Sequence, residues 1–391
     1  MALFPLSGVP RIFACDVKVR LSVNPCAALL DELAINLVVR CHISELTPTL
    51  VSIMFSACSH TLFCKERGTL VVTALSEASL REMASPWLPP GHDSTPLRIH
   101  KDTTDFFGVE YGDIVDLGGR PYLIRHNAKE GRFGLDDEVK HWVKRAIDLS
   151  NGKHKIIKLV FHEKFKAHIG GIEFECFRSP RKEARILDLV AGHKNFMHGF
   201  SVQDEKQNLV RVLDFIYGVP LSRYVENLDS DHRSYFFDQF SNILGQFMEC
   251  IRAIQFIHNH GEKHGDIRRD HILVDRQNGH YRWIDFDFNY RHRENIYGYD
   301  LFGLGNVLVF LVGKGDVLLQ NLHKQGHPAM STLREEDRNI VFHHRIVNLK
   351  KVYPYIPDSL NQILLHFSKG ANRFYGTTGE LLEDLEAFPK Q

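Results

Sequence analysis

The stretch EKHGDIRRDHILVD, residues 262–275, with WIDFDFNY at 283–290, constrains this chain more than any other segment. It threads His264, Asp266, Asp270, His271, Asp275, Asp285 and Asp287 between apolar triplets such as Ile272-Leu273-Val274. Short apolar runs bounded by turn residues read as buried strands, and DRQNGH reads as the hairpin turn between two of them. Solvated loops collect carboxylates but seldom set them at the ends of buried strands, because a charge leaving water needs a partner. Two short strands joined by one turn predict that Asp266 and Asp285 project from adjacent strand ends into one cleft. Asp275 is left for the hairpin turn.

A chain of 391 residues can build two domains, or one bilobal unit with an extension. Lys+Arg and Asp+Glu balance at 48 each, so no global field draws the chain to nucleic acid or to an anionic membrane. Neither partner is expected. Seven cysteines, an odd number without a CxxC pair, predict a reducing cytoplasm rather than a disulfide framework. Five of them (Cys15, Cys26, Cys41, Cys58 and Cys64) fall within residues 1–100, a segment built differently from the rest of the chain. Its least charged run, LVSIMFSACSHTLFC at 50–64, is shorter than the ~20 residues of a spanning helix and contains Ser, Cys and His. No basic region leads into an apolar core at the start, so no secretory signal is expected.

The Pro/Gly/Ser-rich segment SPWLPPGHDSTP, 85–96, is the predicted boundary. Residues 1–95 are expected to be a poorly ordered extension, 96–217 a first lobe with its preceding linker, and 218–391 a second lobe. Residues 1–82 are expected to add little to the core, with Met83 as an alternative start. After the boundary, RPYLIRHNA, KHWVKRAIDL and HKIIKLVF alternate with period two and are separated by EGRFGLDDE and SNGK, which predicts a three-strand meander. SPRKEARILDLVAGH predicts a helix with Ser179 as N-cap, Pro180 at the first position and Gly192 to stop it. Strands HGFSVQD and NLVRVLDFI come next. Beyond Tyr217 the texture turns helical. YFFDQFSNILGQFMECIRAIQFIHNHG carries an apolar stripe from Phe240 to Ile257, GYDLFGLGNVLVFLVGKGD reads as a buried helix, and IPDSLNQILLHFSKG and TTGELLEDLEAF as amphipathic ones.

A small five-strand lobe with one helix, a hinge, and a mostly helical lobe is similar in order to the protein kinase-like superfamily, over roughly residues 120–391. The predicted class is therefore α+β, a bilobal kinase-like fold with a β-rich N-lobe, a larger helical C-lobe and an N-terminal extension. HGDIRRDHILVD resembles the catalytic loop, WIDFDF the metal-binding DFG segment, and KIIK the strand with the ATP-anchoring lysine. The resemblance implies Asp266 as catalytic base and Arg268 as a cation near the γ-phosphate. It implies Lys158 as phosphate anchor paired with Glu183, rather than Lys155, which begins its strand. Leu213 to Tyr217 resemble the hinge that meets adenine, with Leu213 and Phe215 as cofactor-binding residues. Gly131 and Gly134 resemble the phosphate-covering glycine loop, Asp300 the aspartate that braces the catalytic loop, and Leu187, His264 and Phe286 an apolar spine.

The same resemblance implies ATP with Mg²⁺ or Mn²⁺, held by Asp285 with His271 and Asp287. Several positions depart from the family pattern. Lys129 stands at the first glycine of the loop, Ile156 replaces an alanine above adenine, and Gly265 replaces the arginine of HRD. His271 replaces an asparagine ligand, and imidazole suits softer ions better than Mg²⁺. The segment between Asp285 and Asp300 is short and lacks an APE motif. The expected activity is ATP-dependent phosphoryl transfer of Ser/Thr protein kinase type to a hydroxyl on a protein or small molecule. The alternatives are a small-molecule, sugar or lipid-headgroup kinase, and a catalytically weak pseudokinase acting as a binding module. The sequence sets no oligomeric state.

Overall fold

Strand alternation organises the first lobe of the computed structural model, which describes residues 75–90, 96–130, 138–169, 172–291 and 296–388. Helix α1 (Glu77–Ala84) opens it, capped by Ser76, whose hydroxyl accepts from the Ser79 N–H. Next come strands β1 (Ile99–His100), β2 (Ile114–Leu117), β3 (Arg120–Glu130), β4 (Glu138–Asp148) and β5 (Lys153–Lys158). With β8 (Gly199–Gln203) and β9 (Leu209–Asp214) they form a seven-stranded sheet in the order β1-β2-β3-β4-β5-β9-β8. Only β1 and β2 pair in parallel. The expected meander is β3-β4-β5, and the β3–β4 turn with Gly131 and Gly134 lies outside the described residues.

Alternation gives this sheet two apolar faces. Val115, Tyr122, Ile124, Ala146 and Ile157 pack on one side. Their neighbours Ile114, Leu123 and Ile147 meet Leu80 and Ala84 of α1 on the other. Leu80 and Ala84 are four residues apart and so lie on one helix face. The compact unit accordingly starts at Leu75, ahead of the Pro-rich segment expected to bound it. That segment has the composition of a linker because its prolines stop a helix. The helix they stop is part of the lobe.

An unanticipated hairpin, β6 (Lys164–Ile169) and β7 (Ile172–Arg178), separates β5 from helix α2 (Pro180–Leu189). Ser179 caps α2 as predicted, accepting from the Lys182 N–H. Strand β10 (Gly218–Pro220) and helices α3 (Leu221–Glu226), α4 (His232–Asp238) and α5 (Phe240–Asn259) lead into the second lobe. The α5 stripe Phe240, Ile243, Leu244, Phe247, Ile251, Ile254 and Ile257 is buried as its spacing predicts. Strands β11 (Ile272–Asp275) and β12 (Tyr281–Trp283) pair antiparallel beside β10. Strand β13 (Phe288–Arg291) instead joins β7 and β6 in a third sheet. Helices α6 (Gly298–Val312), α7 (Leu319–Lys324), α8 (Asp358–Leu365) and α9 (Thr378–Ala387) complete the lobe. Among the described residues no helix is long and apolar enough to cross a membrane.

Candidate active site

The β11–β12 hairpin pairs Ile272 with Trp283, and the Ile284 N–H donates to the His271 carbonyl at 2.9 Å. This places the segment before β11 beside the segment after β12. Asp300, fully buried in α6, accepts from the His264 and Gly265 N–H groups at 2.8 Å each and lies 3.0 Å from His258 Nε2. Burial alone would favour its neutral form, but these contacts hold its pKa below the usual carboxylate range. Gly265 has φ +88°, and a Cβ there would lie 1.9 Å from the Phe288 carbonyl oxygen. The approach of β13 thus explains why no side chain stands at this position.

Asp266 keeps its side chain 17% exposed to the cleft. Arg268 Nε lies 3.4 Å from one of its oxygens, and His271 Nδ1 lies 3.5 Å from the other. The His271 ring is oriented by its Nδ1, which donates to the Asp266 carbonyl at 2.8 Å. Its Nε2 accepts from the Arg268 guanidinium, since arginine has only donors.

Above the loop lies a buried ion cluster. Lys158, at the end of β5, reaches Glu183 at 2.8 Å, Asp285 at 2.9 Å and Asp287 at 3.1 Å. Burial would strip this ammonium of its proton, but the three carboxylates outweigh it and its pKa is raised. Arg211 holds the second oxygen of Glu183 at 2.9 Å. Arg178 grips both oxygens of Asp287 at 3.0 and 2.9 Å and reaches Glu163 at 2.8 Å. Asp287 therefore stays ionised against its burial, lowered to about 2 by Lys158 and Arg178. Asp285, at φ +61°, is held well below the usual carboxylate range against its burial, chiefly by Lys140 and Lys158. Lys155 is elsewhere, 2.5 Å from Asp214.

Sequence reasoning did not find Lys140, Arg178, Lys182 or Arg211. Lys140 Nζ lies 3.2 Å from Asp285 Oδ2, with its side chain 10% exposed. Strict alternation along β4 would turn it away from Val143, which pairs with Lys158. A register shift falls here, where Asn127 pairs with Lys144 but Ala128 with Lys140. Such a bulge re-aims a side chain.

The residues expected to meet the nucleotide lie at the end of β9 and just beyond it. Leu213 is buried, pairing with Ile156 and Gly199 across the sheet. Phe215 comes just after β9, with the Arg145 guanidinium 5.4 Å from its ring centre. Leu187, His264 and Phe286 are all buried, and the His264 and Phe286 rings lie 6.1 Å apart. The expected metal ligands do not fit a divalent ion as arranged. Asp285 presents one oxygen to Lys158 and the other to Lys140, Asp287 is gripped by Arg178, and His271 Nε2 faces Arg268. Among the described residues no group of three His, Cys, Asp or Glu side chains gathers to hold a metal.

Beside Asp266 opens a cavity of about 780 Å³. Phe165 and His168 of the β6–β7 hairpin, Phe288 of β13 and Arg345 of the second lobe are among its walls. An acceptor entering here would meet the Asp266 carboxylate.

The protein kinase domain family matches residues 141–309. The chain is 31% identical over 114 residues to the serine/threonine-protein kinase chk1 of Schizosaccharomyces pombe, covering 28% of this chain and 21% of that protein. It is 25% identical over 176 residues to the 2-5A-dependent ribonuclease of Mus musculus, covering 42% and 22%. It is 24% identical over 183 residues to the serine/threonine-protein kinase max-2 of Caenorhabditis elegans, covering 42% and 27%. The matches thus span 21% to 27% of the length of these curated relatives. Among solved structures, the kinase domain of Mycobacterium tuberculosis PknI is 12% identical with a TM-score of 0.42, covering 71% of this chain and 99% of that one.

Proposed function

We propose that this chain, which belongs to the protein kinase-like superfamily, transfers the γ-phosphoryl group of ATP to a serine or threonine hydroxyl. The observation that carries the reading is Lys158, which bridges Glu183 and Asp285 at 2.8 and 2.9 Å above the loop that bears Asp266. Phosphoryl transfer asks little covalent chemistry of a protein; it asks for positioned cations and a placed proton acceptor. Glu183, fixed by Arg211, orients the Lys158 ammonium toward the α- and β-phosphates. Leu213 and Phe215 meet the adenine, with Ile156 narrowing the pocket above it. Asp266 accepts the proton of the attacking hydroxyl as the bond to the γ-phosphorus forms and the bond to ADP breaks. Arg268, beside Asp266, offers a cation to the γ-phosphate oxygens. The two described free thiols, Cys176 and Cys250, are both buried, which is compatible with a reducing, cytoplasmic setting.

The test is transfer of label from γ-³²P ATP to a serine-rich protein such as casein, by the full chain and by its Asp266→Asn variant. Label on serine or threonine that disappears in the variant supports the reading. ATP binding without any transfer would instead make the chain a nucleotide-binding module.

A further inference from the structure

We propose that Lys140 is a second phosphate-binding cation, and that with Lys158 it lets this cleft take a nucleoside triphosphate without a divalent ion. The inference rests on the nucleotide-site reading above. Its first support is geometric. The two oxygens of Asp285 are divided between two ammonium groups, Lys158 at 2.9 Å and Lys140 at 3.2 Å. In a metal-dependent arrangement that carboxylate would face the ion that bridges it to the phosphates. Here both of its oxygens face ammonium groups instead.

The second support is the backbone. Lys140 is on the cleft side of β4 only because the register shift between Asn127 and Ala128 turns it there. A solvated surface lysine needs no such device. This one is buried to 8% of its accessible area, and its ammonium is aimed at a carboxylate on another lobe. The third support is the distribution of exposure in the cluster. Side chains of Glu183 and Asp287 are 0% and 2% exposed, whereas that of Asp285 is 22% exposed. An incoming polyphosphate therefore meets Asp285 and Lys140, whose side chain is 10% exposed, before the deeper Lys158 at 1%. Arg178 and Arg211 stay engaged behind it.

Electrostatics then assigns the lysines their role. A triphosphate brought beside an ionised carboxylate is repelled unless positive charge lies between them. A divalent ion ordinarily supplies that charge. An ammonium has three donors, so one held on a carboxylate can also donate to a phosphate oxygen. Two such groups on one carboxylate supply the same total charge as one divalent ion. Arg268 adds a third cation at the far end, beside Asp266.

The test is ATP binding to the full chain by calorimetry, once with excess Mg²⁺ and once with EDTA. Wild-type protein is expected to bind ATP in EDTA with a Kd close to its Mg²⁺ value. Lys140→Gln is expected to weaken binding in EDTA by about tenfold, the scale of one charge-assisted hydrogen bond, and Lys140→Arg to retain it. Wild-type binding that requires Mg²⁺ would overturn the inference while leaving the proposed function standing. Unchanged EDTA binding in Lys140→Gln would also overturn it. Failure to bind ATP under either condition would overturn the inference and the nucleotide-site reading together.

Discussion

The Lys182 ammonium donates to the His264 carbonyl at 2.7 Å, tying helix α2 to the loop that carries Asp266. The same group donates to the Phe286 and Phe288 carbonyls at 2.9 and 2.5 Å, on either side of Asp287. One residue of α2 thus clamps both segments of the site, while its neighbour Glu183 orients Lys158. Burial lowers the Lys182 pKa to about 8, and the three carbonyls give its N–H donors the partners they need. Lys182→Met keeps the length of the side chain but leaves three buried acceptors without this donor. Relief of the buried charge offsets part of that cost. We expect a loss of about 2 kcal/mol in urea unfolding, with weaker ATP binding as Glu183 loosens. Unchanged stability and affinity would show that the clamp does not hold the helix.

Asp266→Asn should lower phosphoryl transfer by roughly 10²–10⁴-fold, the scale of a positioned proton acceptor. The amide preserves size, and the proposed ATP contacts at Lys158, Leu213 and Phe215 lie elsewhere, so ATP affinity by calorimetry should change little. A variant that turns over like wild type would remove Asp266 from the chemistry.

Acid should expose the Asp287 ion pair. Its carboxyl titrates near the ordinary value of 3.8 when unfolded and at about 2 when folded, because Lys158 and Arg178 overcome its burial. Between those values the unfolded chain holds more protons, so stability falls as pH drops from about 4 toward 2. Thermal unfolding at pH 3 and pH 7 checks this. In Asp287→Asn the difference between the two melting temperatures should shrink.

A chain starting at Met83 should melt at a lower temperature than one starting at Leu75, because it loses Leu80 and the Ser76 cap of α1. Leu80→Ala in the full chain isolates the packing part and should cost about 3 kcal/mol, as truncation of buried leucines does. Equal melting curves for the two chains would mean that α1 contributes nothing to the sheet it covers.

Much of the second lobe is legible in the sequence because its signals are local. The α5 stripe repeats at helical spacing, and in the first lobe Ser179-Pro180 is likewise a cap that needs no distant partner. The hairpin β6–β7 is harder to see. Its residues Lys164, Lys166 and His168 alternate with Phe165 and Ala167, but what fixes the pair is β13, more than a hundred residues later.

By itself the sequence determined that carboxylates would stand at strand ends around one cleft, since the triplet Ile272-Leu273-Val274, a turn and the pair Trp283-Ile284 allow little else. It also determined the helical lobe beneath them, through periodicity. The tertiary structure alone decided which cations meet those carboxylates. Alternation along β4 sends Lys140 to the wrong face, and only the shift in register against β3 brings its ammonium to Asp285. A bulge arises from how two strands pair, and ion pairing inside a protein depends on positions a few ångströms apart in space. Neither quantity is carried by the spacing of residues along one strand.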